Sequence, residues 1–263
     1  MKHIIWMLVG LALAAAPLAH ADQWTKIFTI SGKPELRVET TDANIHVDTW
    51  DKSTIDVQLT TQRWKIGEDG IKIYEHQTGD AVELEVRFPH RNVVFNFGGR
   101  RVDIDIHMPR EGKVDLRTSD GHIRLANFKG EMQTESGDGH QDIDGVDGSL
   151  RAHAGDGSIR ANGRFDALDL STGDGHVDAR ALAGSRMAKG WNLHTGDGSV
   201  TLEVPQDIAA DVDLHTGDGH ITLDLPIVVE GKLAENSVRG KLNGGGNLLT
   251  IRTGDGSIHL EKS

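Results

Sequence analysis

The chain has no cysteine among its 263 residues. This excludes a disulfide framework, and it excludes a lipoprotein anchor, which needs a cysteine at the cleavage site. Burial and backbone pairing must therefore hold the fold. Proline is scarce, at 6 residues, and aromatic side chains make up 5%. No Pro-rich linker divides the chain, and few rings are available to stack on a ligand. Basic residues are the minority, 28 Lys and Arg against 40 Asp and Glu. That balance disfavours nucleic acid, whose binding depends on cationic side chains displacing counterions from phosphates, and docking to anionic lipid. Hydrophobic residues reach only 37%. Beyond the N-terminus no apolar run is long enough to be an integral membrane segment.

The N-terminal run has a signal-peptide pattern. Lys2 and His3 precede an apolar stretch from Ile4 to about Leu18, and Ala19-His20-Ala21 supplies the small side chains that signal peptidase admits. Residues 1–21 are read as a signal peptide and residues 22–263 as one mature domain beginning at Asp22. Loss of Lys2 leaves 27 basic against 40 acidic residues. The expected location is outside the cytoplasm, periplasmic by default, with the extracellular space or cell surface as alternatives.

Glycine, in contrast, is abundant at 32 residues, and much of it falls in a repeat. Thr118-Ser119-Asp120-Gly121-His122-Ile123 returns as Ser136-Gly137-Asp138-Gly139-His140, then around Asp156, Asp174, Asp197, Asp218 and Asp255, with spacings of 18, 18, 18, 23, 21 and 37 residues. The last gap is about two periods, and Glu235-Asn236-Ser237-Val238 is the expected degenerate copy within it. Positions six and four before each aspartate, and three and five after it, are mostly apolar: Leu168, Leu170, Val177 and Ala179 around Asp174 are typical. Period-two alternation marks a strand with one buried face. Each unit is thus strand, Gly-Asp-Gly corner, strand and a variable return. Asp138 has the weakest copy, with Thr134 and Gln141 at inward positions. Leu36, Val38, Asp42, Ile45 and Val47 give the first coil.

An Asp-Gly pair also suits a hairpin, but a fixed period points to stacked coils with each strand pairing one coil away. A core built as a narrow stack needs few apolar side chains per layer. The corner glycines are expected to supply positive φ and room for the neighbouring coil. The expected fold is all-β, a parallel β-helix-like solenoid with ~18-residue coils at about 110–260 and irregular strands at about 50–108.

The Val-Asp-Leu-x-Thr-x-Asp-Gly-x-Ile unit, Glu230-Gly231-Lys232-Leu233, and Arg239 to Gly246 closing with Leu249-Thr250-Ile251-Arg252-Thr253 together resemble the bacterial "putative adhesin" family of exported β-strand-repeat proteins, formerly a domain of unknown function. The resemblance spans roughly Leu36 to Leu260, and Leu242-Asn243-Gly244-Gly245-Gly246 is its most specific part. It implies a right-handed parallel β-helix-like fold and no catalytic residues.

Stacked coils would align Asp120, Asp138, Asp156, Asp174, Asp197, Asp218 and Asp255 in one row. The expected structural role of each carboxylate is to accept N–H groups of its own turn, as in Asx-turns; the sharper reading is a calcium ladder. His122, His140, His176 and His220 share the place after Gly-Asp-Gly, and His215 flanks Asp218 from the other side. These histidines with Asp218 are candidate Zn²⁺ or Cu²⁺ ligands. Against that, Ser158, Ser199 and Ser257 fill the same slot as the histidines, as interchangeable polar residues on an exposed face would. No cofactor is implied. No Gly-x-Ser-x-Gly, His-Glu-x-x-His or phosphate-loop motif is present. Trp191 is read as core, Trp50 as a cap, and Trp64 and Tyr74 as exposed contacts. Phe88 to Phe97, with Arg91, Arg100 and Arg101, is the one basic-aromatic cluster, or a hairpin over the open end. The leading functional expectation is a non-catalytic envelope module that presents polar ladders to a glycan, the cell wall or an envelope protein. A periplasmic Zn, Cu or Ca binder comes second and a polysaccharide-active enzyme third.

Overall fold

The computed structural model describes residues 21–89, 101–229 and 235–263. The signal-peptide run up to His20, the cluster from His90 to Arg100 and the segment 230–234 lie outside the described residues. Within them there is no helix, and all 21 strands join one sheet. The period-two pattern is what folds. Leu168, Leu170, Val177 and Ala179 are each at most 3% exposed, and Leu249, Ile251, Ile258 and Leu260 are fully buried. Where the pattern is weakest the polar inward groups satisfy one another. Thr134 Oγ1 donates to Gln141 Oε1 at 2.5 Å, and Gln141 Nε2 donates to Ser136 Oγ at 2.9 Å and to the His153 carbonyl at 2.6 Å.

Strands pair in parallel, rung on rung. Gln133 faces Asp115 on one side and Arg151 on the other; Gln141 faces Ile123 and Ile159. Each rung therefore contributes one strand before its corner and one after it, and the apolar side chains of the two meet between them.

The order of rungs is not the order of the chain. Trp191–Thr195 pairs with Asn247–Thr253, and that strand pairs in turn with Ala210–Thr216. After the corner, Val200–Val204 likewise pairs with Ile258–Lys262, which pairs with Ile221–Leu223. The Asp255 rung thus lies between the Asp197 and Asp218 rungs. Near the other end, Glu35–Thr40 lies between Ala81–Arg87 and Glu111–Thr118. The Asp42 rung is therefore second in the stack, below a layer formed by Ala81–Arg87 and Arg101–Pro109, and not first as the sequence suggested. Rungs of near-identical chemistry pair equally well with any neighbour, so chain order does not dictate stack order.

The expected degenerate copy at residues 235–238 is not a rung. Ser237–Leu242 runs antiparallel to Ala210–Thr216, with Ile227–Val229 antiparallel on its far side. It covers an edge that would otherwise be open to foreign strands. At the opposite end Thr54–Gln62 covers Arg101–Pro109 antiparallel and Gln23–Thr29 covers Thr54–Gln62. The irregular strands of residues 50–108 are thus an end layer and its covers. The Leu242–Gly246 turn owes its composition to backbone geometry. Asn243, Gly244 and Gly245 have φ of 50°, 88° and 89°, and Asn243 Nδ2 donates to the carbonyls of Gln206 and Ile208, both at 2.8 Å.

The corner glycines have a different cause from the one expected. None has positive φ. The second glycine of each corner is pressed against the neighbouring rung: a Cβ on Gly198 would collide with the Gly175 carbonyl oxygen, and one on Gly256 with that of Gly198. The first glycine has more room, since a Cβ on Gly155 would lie 3.0 Å from the Gly137 oxygen, and Ser119 and Thr41 occupy that place elsewhere. Gly198→Ala should therefore lower stability by about 2–3 kcal/mol, as overpacking against rigid backbone does, and Gly155→Ala by under about 1 kcal/mol. Urea unfolding of the two variants checks this, and equal losses would refute the close-approach account.

Candidate functional site

The corners carry the residues that the sequence singled out, and three parallel rows run along them. The first is at the place two before the aspartate, which is threonine in five of the seven corners, Ser136 before Asp138 and Ala154 before Asp156. Thr195 Oγ1 donates to the Gly175 carbonyl of the neighbouring rung at 2.7 Å and accepts the Gly198 N–H of its own corner at 3.2 Å. Thr253 and Thr216 repeat both bonds, and Thr118 does so with the Ala43 carbonyl and the Gly121 N–H. These side chains are buried, Thr195 and Thr216 fully. Sequence reasoning stopped the inward alternation at the place four before the aspartate. The same parity extends to the threonine, and that was the signal for its role.

The second row is the aspartates. All seven are exposed. Except for Asp120, none has a side-chain hydrogen-bond or ion-pair partner among the described residues. The Asx-turn expectation gives way to bonds between rungs: the N–H two residues on, which such a carboxylate would take, is bound to a side-chain acceptor of the neighbouring corner, as Ser199 N–H is to His176 Nδ1. Asp120 faces Asp42, which begins the row as an eighth member. Burial, then the charge of Asp120 and the hydrogen bond between the two, push the Asp42 carboxyl above the ordinary carboxylate value.

The third row explains why His and Ser share a slot. The N–H of His140 donates to His122 Nδ1, that of Ser158 to His140 Nδ1, that of His176 to Ser158 Oγ, and that of Ser199 to His176 Nδ1, each at 3.0 Å. Ser257 N–H then donates to Ser199 Oγ and His220 N–H to Ser257 Oγ, both at 3.3 Å. Asn44 Oδ1 starts the row by accepting from His122 N–H at 3.0 Å. Asn, His and Ser each offer a short-reach acceptor, and the slot selects for that property. The His122 and His140 rings stack 5.4 Å apart, 3° from parallel.

This row bears directly on metal binding. A backbone N–H facing Nδ1 requires that nitrogen to be unprotonated, so the ring proton sits on Nε2. In His122, His140 and His176 one nitrogen is engaged and the other carries hydrogen, leaving no lone pair for a metal. His220 lies on the last rung, and His215 and Asp218 are exposed beside it. Among the described residues no group of three or more His, Cys, Asp or Glu is arranged to hold a metal ion.

The aromatics sort as follows. Trp191 is core, 1% exposed, and meets Phe165 edge-on at 6.3 Å. Trp50 stacks on His107 at 5.2 Å, with the Lys52 ammonium 4.0 Å from its ring centre. Trp64 packs edge-on against Phe88 at 5.7 Å, partly buried on the core, so the expected exposed contact falls to Tyr74 alone, which is 47% exposed. Arg101 is engaged by Asp103. No helix of the described residues is long and apolar enough to cross a membrane.

A family model described as Toastrack DUF4097 matches residues 94–261. Similar solved structures include a "putative cell adhesion protein" from Clostridium sporogenes, 16% identical with a TM-score of 0.46 over 93% of this chain and 100% of that one. Others are a "putative adhesin" from Bacteroides fragilis, 12% identical, TM-score 0.36, over 91% and 97%, and a "putative lipid binding protein" from Parabacteroides distasonis, 12% identical, TM-score 0.32, over 92% and 95%. No curated protein matches the chain.

Two predictions follow from the rows. Thr195→Val keeps the shape but strands a buried N–H and a carbonyl, and should cost about 2 kcal/mol in chemical unfolding; a neutral result would show that water replaces the hydroxyl. For Asp42 the folded carboxyl holds its proton more tightly than the unfolded one, so ionisation removes stability as pH rises through the raised value. Asp42→Asn should raise Tm at pH 7, and the gain should vanish near about pH 3, where both carboxyls are protonated. A gain that persists in acid would point to packing instead.

Proposed function

This chain belongs to the Toastrack DUF4097 family, and from that premise we propose that it is an exported, non-catalytic binding module whose stacked corners meet a glycan, the cell wall or an envelope protein. The winding is right-handed, as connections between parallel strands of one sheet overwhelmingly are, with the ~18-residue coil as its unit. The observation that carries the functional reading is the aspartate row. Six exposed carboxylates at equivalent corners have no partner within the described chain, while backbone hydrogen bonds link these corners from rung to rung. Corners stabilised by threonine and glycine do not need those carboxylates, so their repetition answers to something outside the molecule. Repetition also favours binding over catalysis. A catalytic centre requires one place unlike the rest, whereas equivalent weak contacts add through multivalency.

Export rests on the basic, apolar and small-x-small pattern before Asp22. The folded part supports a boundary there, because the Thr61 N–H donates to the Asp22 carbonyl at 2.9 Å and the Ile66 N–H to its carboxylate at 3.1 Å. Residues 22–263 then form a single mature domain.

Purified protein mixed with isolated cell-wall and polysaccharide fractions should co-sediment saturably and release no soluble fragments, and the secreted form should begin at Asp22. Retention on no fraction would overturn the glycan and wall partners. Release of fragments would make the protein an enzyme.

A further inference from the structure

We propose that the chain carries a site of spontaneous backbone modification at Asp156–Gly157, where the peptide link rearranges to an isoaspartyl one. Buried threonines hold other Asp-Gly corners back from the same reaction. This goes beyond the binding-module reading and does not depend on what the carboxylates meet.

The argument starts from the dipeptide. Seven Asp-Gly pairs stand at exposed corners. An aspartyl side chain is open to attack by the next main-chain nitrogen when glycine supplies it, because no Cβ crowds that nitrogen. The Gly157 nitrogen gives up its proton and bonds to Asp156 Cγ. One carboxyl oxygen leaves as water, and a succinimide ring closes. Water then adds to one of the two ring carbonyls. Addition at Cγ restores aspartate. Addition at the main-chain carbonyl breaks the original peptide bond, so the chain now runs through Cγ and the former main-chain carbon becomes the free carboxylate. No oxidant, reductant or cofactor takes part, and the mass is unchanged.

The corners differ at that nitrogen. Before it can attack, it must leave any hydrogen bond that its N–H makes. The N–H groups of Gly121, Gly198, Gly219 and Gly256 donate to the threonine of their own corner, Thr118, Thr195, Thr216 and Thr253, at 3.1, 3.2, 3.0 and 3.2 Å. Ser136 and Thr172 keep a hydroxyl at the same place, and Ala154 alone has none. Among the described residues the Gly157 N–H has no acceptor. Its corner lies inside the stack, where the Asp156 N–H donates to the Gly137 carbonyl at 3.1 Å and the Gly173 N–H to the Gly155 carbonyl at 2.6 Å.

The chain contains its own control. Gly155 to Ile159 and Gly254 to Ile258 have the same sequence, Gly-Asp-Gly-Ser-Ile. In both corners the aspartate is exposed and the glycine after it is buried. One is preceded by Ala154 and the other by Thr253, so the two differ in the hydrogen bond to the attacking nitrogen. The product has an extra main-chain bond at a corner with no spare room: a Cβ on Gly157 would already collide with the Gly139 carbonyl oxygen, and Thr172 Oγ1 reaches the Gly157 carbonyl at 2.8 Å.

Folded protein kept for weeks at neutral pH is digested, and the aspartyl and isoaspartyl peptides, equal in mass, are separated by chromatography and assigned by electron-transfer fragmentation. Isoaspartate should form at Asp156 about fivefold faster than at Asp255, the ratio that one ordinary hydrogen bond supplies. Ala154→Thr should slow Asp156 to the rate of Asp255, and Thr253→Val should speed Asp255 to that of Asp156. Ala154→Thr restores the residue that most corners carry, so it keeps the test open if Thr253→Val does not fold. In urea, where no corner is formed, the two identical sequences should convert alike. The isoaspartyl fraction should unfold at a lower temperature than fresh protein. Equal rates in the folded chain, no conversion at Asp156, or an unchanged rate in Ala154→Thr would overturn the assignment. A difference that persists in urea would overturn it too, because the cause would then be the flanking residue and not the bond.

Discussion

The distance between neighbouring corners is the constraint on which the structure depends. Each rung places the second glycine of its corner directly under a carbonyl oxygen of the rung beside it, with no space for a methyl group. That approach lets the buried threonine reach across and bond to the next carbonyl, and lets the residue after the glycine place its N–H on a neighbouring side-chain acceptor. A corner opened by one Cβ would lose steric fit and two hydrogen bonds together. Surface ion pairs between rungs, such as Arg151 with Asp169, are exposed and worth little beside this. In a cysteine-free chain the corner contacts do the work that cross-links do in disulfide-bonded domains.

Seen from the corners, the repeat is a record of bonds between rungs. Threonine persists because it both donates and accepts inside the turn. Glycine persists because of contact, not because of φ. The place after it alternates among Asn, His and Ser because it needs only an acceptor close to the backbone. The aspartate is the member with no such duty, yet it recurs in all seven corners as the glycine after it does. This contrast separates structural repetition from repetition directed at solvent, and it could not be drawn from the sequence, where all four positions recur together.

Much of the fold was legible because period-two burial is local. Trp191 and the inward positions around Asp174 and Asp255 follow from residues a few places apart. The stacking order was not legible. It depends on which of several equivalent rungs meet, and local pattern is silent on that. The gap of 37 residues before Asp255 signalled an irregularity, but a missing rung and an intervening edge cover leave the same gap. The histidine slot was half legible for a related reason: spacing shows that rings share a row, but not that a backbone N–H of the next rung already holds Nδ1 of His122, His140 and His176.

The interleaving of the chain ties these features together. Strands left at the end of a stack have one neighbour and fray. Here the first rung-forming segment, around Asp42, and the last, around Asp255, each lie one layer in and pair on both sides, while the outermost layers come from mid-chain and are covered by antiparallel strands. The irregular strands at both ends thus have one origin: a stack of parallel strands leaves an edge wherever it stops, and Thr54–Gln62 at one end and Ser237–Leu242 at the other turn antiparallel to cover it.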